Sequence, residues 1–263
     1  MPNTRLITAP GIFPVTLEEI KEQLNFTSSI DDNLMRRNIA TATREAEAFT
    51  RRKFCRQTWD IYFDAWQDCF YLPYGRLQSV THLKYTDTDG TTTTLDSSTY
   101  DITTETDILL GRVSLAYNQS WPSATLALNN PIQIRFTCGW YRGHEREDDT
   151  VYTIGEYVEP TRANATGLVY ECTSGGTSDS SEPTWPTTIW DTVNDNTVEW
   201  TAVGEAVPDD IRQAILIEAA GLYELREDQF ITQGAVTVNL GRMQRNLYYY
   251  KIKDNFNEFI REG

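Results

Sequence analysis

The residue types that carry out chemistry are present in this chain, but their spacing does not organise them for it. His82 and His144 are the only histidines, and neither stands in an order that supports a Ser-His-Asp or Cys-His nucleophile. Cys55, Cys69, Cys138 and Cys172 have no CxxC spacing and no accompanying histidine pair, which argues against zinc. Three of the four fall in strand-like runs, where free thiols are ordinary core residues. His144-Glu145-Arg146-Glu147-Asp148-Asp149 holds ligand types for a divalent cation. Its ligands are contiguous, without the spacing of an EF-hand loop, so it reads as a solvated charge run. Carboxylates are plentiful, but no pair can be assigned to glycoside hydrolysis. The expectation is a protein that is not an enzyme, with no catalytic residues, no cofactor and no metal site.

Two aromatic groups could serve in binding. Trp185, Trp190 and Trp200, with Tyr170, could form a sugar-stacking face like that of a carbohydrate-binding protein. The favoured reading makes them the core of a small module with few aliphatic residues. Near the C-terminus, Tyr248, Tyr249, Tyr250, Phe256 and Phe259 alternate with Lys251 and Lys253. Aromatic side chains beside cations favour interface centres, so this tail is expected to form a partner interface. The net charge is −15, from 23 basic and 38 acidic residues. That balance argues against phosphate-backbone binding as the main activity, although an acidic wall would let DNA slide without sticking.

The elements that must position these groups read clearly from period and punctuation. Residues 1–15 form an extended arm marked by Pro2, Pro10, Gly11 and Pro14. Thr16-Leu17-Glu18-Glu19 is a capping box opening a short helix. Asp31 and Asp32 open a longer one, whose Met35, Ile39, Ala42, Ala46 and Phe49 form a seam for another helix. Arg51-Arg52-Lys53 caps its negative pole. From Cys55 the period becomes two, and Trp59, Ile61 and Phe63 alternate with Thr58, Asp60 and Tyr62. Strand-like runs continue through a hairpin at Asp89-Gly90 to a last strand at 132–138.

Composition then shifts. Residues 147–206 contain twelve acidic residues and one basic residue, Arg162, and so carry −11 of the chain's −15. Short strand-like runs and turn residues make this a small all-β module inserted into the chain. Residues 207–224 form the most apolar helix. Pro208 sits where its missing N–H costs nothing, and Asp209 and Asp210 suit the positive pole. This helix is expected to pack on the Met35–Phe49 seam. A last helix is expected over 243–260. No run has the length of a membrane span, and the N-terminus lacks the layout of a signal peptide.

With the insert set aside, the order of elements resembles the head–tail adaptor (connector, or head-completion) proteins of long-tailed bacteriophages. The resemblance rests on residues 15–24 (Val15-Thr16-Leu17-Glu18-Glu19 onward) and 39–50 (Ile39-Ala40-Thr41-Ala42 onward). Gln57-Thr58-Trp59, Leu72-Pro73-Tyr74-Gly75-Arg76, Ile134-Arg135-Phe136-Thr137-Cys138-Gly139-Trp140 and the 207–224 helix complete it. It spans roughly residues 14–142 and 207–226. The 147–206 insert is extra, and the chain beyond Arg226 departs from the pattern. Within the insert, Glu182-Pro183-Thr184-Trp185-Pro186 and Thr197-Val198-Glu199-Trp200 resemble a small β module that recurs in phage virion proteins.

The resemblance implies a virion protein of the neck, assembled in the host cytoplasm and away from membranes. It implies a homo-oligomeric ring, typically dodecameric, docked below the portal protein and offering a surface to a stopper or tail-completion protein. DNA would pass through its channel without sequence-specific binding. The expected fold is α+β: a helical bundle packed with a small antiparallel sheet, plus the inserted β module. Residues 1–146 and 207–263 would form one discontinuous adaptor domain, with 227–263 as an interaction arm and 147–206 as the acidic insert.

Overall fold

The Thr16 capping box forms as its spacing requires. The Thr16 hydroxyl accepts the Glu19 N–H at 3.2 Å, and a Glu19 carboxylate oxygen accepts the Thr16 N–H at 2.6 Å. The architecture comes from a computed structural model, which describes residues 3–104, 110–224 and Leu247. In its first part β1 (Asn3–Thr8) is followed by α1 (Leu17–Gln23), α2 (Asp32–Thr50), β2 (Gln57–Phe63) and β3 (Cys69–Tyr71). Then come β4 (Leu77–Thr86), β5 (Thr92–Thr94), β6 (Tyr100–Thr103), β7 (Arg112–Leu115) and β8 (Ile132–Cys138). A second run of strands holds β9 (His144–Glu145), β10 (Val151–Tyr152), β11 (Tyr157–Glu159), β12 (Leu168–Ser174), β13 (Gly176–Thr177), β14 (Thr192–Asp195) and β15 (Val198–Glu205). α3 (Asp209–Glu224) closes the described order.

The helices meet as the seam predicts. Met35, Ile39, Ala42 and Ala46 of α2 share one buried cluster with Ile211, Ala214, Ile215 and Ala219 of α3, closed by Ile20 of α1. The spacing of four and three places these side chains on one stripe, and small alanines let the two axes approach. Leu247 is fully buried in the same cluster. Among the described residues no helix is long and apolar enough to cross a membrane.

A five-stranded antiparallel sheet runs in the order β1-β2-β8-β4-β5, and a three-stranded sheet in the order β3-β7-β6. Ile61, Phe63, Phe70, Leu83, Ile134 and Phe136 fill the core between them. Asp60, on the face expected to be polar, is buried opposite Arg135 in register. Its carboxylate accepts Arg135 Nε at 2.7 Å and Gln133 Nε2 at 2.7 Å. Burial opposes its charge, but these donors outweigh that and hold its pKa below the ordinary value.

The fold is mixed α/β with several small antiparallel sheets, and a helical bundle does not describe it. Three α-helices occur among the described residues, and α1 spans only seven residues. The N-terminal stretch expected as an arm is strand β1, hydrogen-bonded along β2. Its mostly exposed side chains give no buried alternation by which the sequence could reveal it.

The 144–205 region builds its own sheet, β14-β15-β12-β11-β9, with β9 parallel to β11. Its core is aromatic: Tyr152, Tyr170, Trp185 and Trp200 pack with Val158, Val198 and Ala202. Arg146 is buried here, unlike its neighbours in the charge run, and Asp195 receives it in a two-pronged contact at 3.0 and 2.8 Å. Asp195 also accepts the Trp200 indole N–H at 3.1 Å and the Asp179 N–H at 2.9 Å. A buried ion pair with its remaining lone pairs filled specifies one packing.

These separate cores make a differential prediction. Ile215→Ala is expected to cost about 2–5 kcal/mol and Trp200→Ala about 3–5 kcal/mol. Hydrogen exchange should rise across α2 and α3 in the first variant and across 144–205 in the second. Loss of protection over the whole chain in both would show one cooperative unit.

Candidate assembly interface

Where β8 ends, the chain turns from the helical core toward the second sheet, and the turn is sterically specified. Gly139 has φ +104, and a Cβ there would overlap the Cys55 carbonyl. Trp140 enters the helical core, while Tyr141 pairs its backbone with Glu205 at 3.2 Å and with Val207 at 3.2 Å. Gly143 lies so close to the Val158 backbone that no side chain fits. Outgoing and returning segments therefore leave the core side by side.

Four charged side chains close this junction. Arg142 is buried and donates to Glu159 of β11 at 2.5 Å. Arg212 of α3 pairs with Glu19 of α1 and lies 3.6 Å from Glu159, and Arg142 is 3.9 Å from the other Glu19 oxygen. Glu159 also accepts the Gly143 N–H at 3.1 Å. Burial opposes the charge on Glu19, but the Thr16 N–H and the Arg212 and Arg142 guanidiniums outweigh it and hold its pKa below the ordinary value. Burial likewise works against the Arg212 charge, and Glu19 and Glu159 more than restore it, raising its pKa. At the junction's outer side Arg56 donates to the Tyr157 hydroxyl at 2.9 Å, stands over the Tyr141 ring and faces solvent. Arg76 pairs with Glu205 across the same boundary.

Beside the junction lies a half-open cleft of about 550 Å³ between residues 8–12, the start of β2 and the second sheet. Cys55, Arg142 and His144 line it. Burial, reinforced by Glu47, pushes the Cys55 thiol up to about 12, so it stays protonated and is a poor nucleophile at neutral pH. No group of three His, Cys, Asp or Glu side chains that could hold a metal ion occurs among the described residues.

Burial separates the three tryptophans of the second sheet as the core reading expects for two of them. Trp200 is fully buried and Trp185 nearly so, and each donates its indole N–H to a carboxylate, the buried Asp195 and the half-buried Glu182 respectively. Trp190 is 72% exposed. Of the three rings, Trp190 alone is turned to solvent. Tyr248, Tyr249, Tyr250, Lys251, Lys253, Phe256 and Phe259 lie outside the described residues, as does most of the helix expected over 243–260. The surface instead offers the open edge of β1, with Leu6 and Ile7 exposed, and loop residues Tyr117 and Leu128. Period analysis missed the four-charge junction because its members lie far apart in sequence. The one local signal was Glu19, already recognised as half of a capping box.

No family model and no curated protein matches this chain. Solved structures do. A chain in the neck of an empty gene transfer agent (GTA) particle, computed with C6 symmetry, aligns with a TM-score of 0.58 at 16% identity, covering 95% of this chain and 96% of that one. A chain in the virion of the native particle aligns at 0.56 and 16% identity, covering 95% of each. A chain in the native particle's neck, computed with C12 symmetry, aligns at 0.54 and 16% identity, covering 96% of each. At this identity the likeness establishes a shared fold, and the coverage shows that it takes in the second sheet as well as the helices.

The junction makes two expectations. Gly143→Ala should raise hydrogen exchange at 142–145 and 157–159 while α2 stays protected. Glu19, with a depressed pKa, contributes stability that is present above about pH 4.5 and lost as pH falls through its lower folded value. Glu19→Gln should therefore cost about 1 kcal/mol at pH 7 and progressively less toward pH 3. A pH-independent cost in thermal melts would show that the charge is not the source.

Proposed function

We propose that this chain is a structural component of the neck of a phage-like virion, where copies form an adaptor ring below the portal. The observation that carries the reading is the fold shared over about 95% of both chains with proteins of gene transfer agent necks. Those necks were computed with C6 and C12 symmetry, which supports a cyclic assembly for a chain of the same fold. The resemblance to head–tail adaptors, drawn from different observations, leads to the same place.

In this reading the helices and the five-stranded sheet form the ring body and extend the DNA channel. The portal protein lies on one side and a stopper or tail-completion protein on the other. The 227–263 segment serves as the interaction arm, through Tyr248, Tyr249, Tyr250, Lys251, Lys253, Phe256 and Phe259. The 147–206 insert points outward or down the tail, because the inner ring has no room for an extra module in every subunit. Binding strength comes from repetition: each contact is modest, and ring closure multiplies it. The protein performs no reaction.

Light scattering of the purified full-length chain, together with images of particles, tests this reading. A cyclic oligomer, and density for the chain at the neck, are expected. A chain that stays monomeric at every concentration and is absent from particles would overturn it. Deleting residues 248–263 should leave the oligomer intact and abolish retention of the portal protein in pull-downs.

A further inference from the structure

We propose that the five-stranded sheet links copies head to tail, the β1 edge of one copy adding to the β5 edge of the next. This rests on the ring reading and specifies its subunit contact. β1 and β5 are the two outer strands of the order β1-β2-β8-β4-β5, and neither has a second strand partner among the described residues. Unpaired edges present rows of N–H and C=O groups that recruit another strand, and folded proteins ordinarily blunt them with a proline, a lysine or a covering segment. β1 carries no proline and no lysine within Asn3–Thr8, and it exposes Leu6 at 43% and Ile7 at 36%. β5 consists of three exposed threonines, residues that favour extended backbone.

Charge decides which edge meets which. Residues 1–17 contain Arg5 and no acidic residue. Residues 86–101, around the β4–β5 hairpin, contain Asp87, Asp89, Asp96 and Asp101 and no basic residue. A β1–β1 contact would set Arg5 near its own copy, and a β5–β5 contact would oppose two acidic hairpins. Only β1 against β5 brings opposite charges together, and like-charge juxtaposition is strongly disfavoured. The loop at 125–131 bonds the other side of β4, through Thr88 N–H to Thr125 at 3.1 Å and Ala127 N–H to Thr86 at 3.0 Å, and so leaves the outer edge of β5 open. A contact between two different surfaces is heterologous, the kind that generates rings when its rotation closes.

The test uses the full-length chain with L6D/I7D, which places two acids on the β1 edge opposite the acidic hairpin. Both side chains are exposed, so circular dichroism should match that of the unsubstituted protein. The expected result is a loss of ring mass in light scattering, with the concentration for half-assembly raised about a hundredfold. R5E and D89K should each weaken assembly, and the combined R5E/D89K protein should recover a substantial part of it. An unsubstituted protein that forms rings, with L6D/I7D forming them equally well, overturns the edge contact and leaves the ring reading standing. Failure of the charge swap to recover any assembly overturns the pairing of β1 with β5. An unsubstituted protein that never assembles, in solution or in particles, overturns the ring reading and this contact with it.

Discussion

Two arginines and two carboxylates from four separate parts of the chain meet where the helices touch the second sheet. Glu19 comes from α1, Arg142 from the turn after β8, Glu159 from β11 and Arg212 from the first turns of α3. The set is neutral as a whole, and each cation lies between two anions. A partly buried ion pair contributes little net stability, because desolvation offsets attraction. Its effect is geometric: moving either carboxylate weakens the pairing of Arg142, the most deeply buried of the four. The capping box fixes Glu19, Gly143 allows the Val158 backbone to approach, and the paired strands at Tyr141 and Val207 set the spacing. These contacts join the helices to the second sheet through side chains from both.

The second sheet solves the problem of a small core differently. It has few aliphatic side chains, so it buries large rings and satisfies their polar ends with its own carboxylates. Glu182 takes the Trp185 indole at 2.7 Å together with the Thr161 and Asn164 side chains, each at 2.5 Å. Burial opposes its charge, and these donors outweigh it, so its pKa is lowered. Asp195 does the same work for Trp200 and Arg146. Part of what reads in composition as a featureless acidic tract is thus internal wiring, and the rest is surface charge.

Much of the scaffold was legible because local rules acted on contiguous residues. The Thr16–Glu19 box, the Met35–Phe49 seam and the Pro208-Asp209-Asp210 start each predicted an element that forms, with α2 and α3 packed together. What was illegible depended on partners distant in sequence. β1 has no alternation because its backbone is paired while most of its side chains stay exposed. Asp60 looks like a solvent-facing strand residue until Arg135 is brought opposite it. Arg146 looks like one charge among five until Asp195, forty-nine residues later, encloses it. Three tryptophans within sixteen residues can by composition be a small core or a binding face, and burial divides them into two core members and one surface ring.

The charge of the chain constrains how copies could associate. Each copy carries −15, so copies brought together repel one another through their summed fields. At physiological ionic strength that repulsion is screened over about 8 Å, whereas groups in direct contact are screened much less. Association therefore has to rest on short-range terms, such as backbone hydrogen bonds at an open edge, buried apolar side chains and locally matched charge. The chain is arranged to permit this. Its excess acid is concentrated in the 147–206 segment, and the β1 end is the part of the five-stranded sheet without acidic residues in its flanking sequence. Raising salt should therefore strengthen association up to the point where the Arg5–hairpin attraction is itself screened. Among the described residues, the open edges of the five-stranded sheet and the charge around them are the features on which such short-range terms can act.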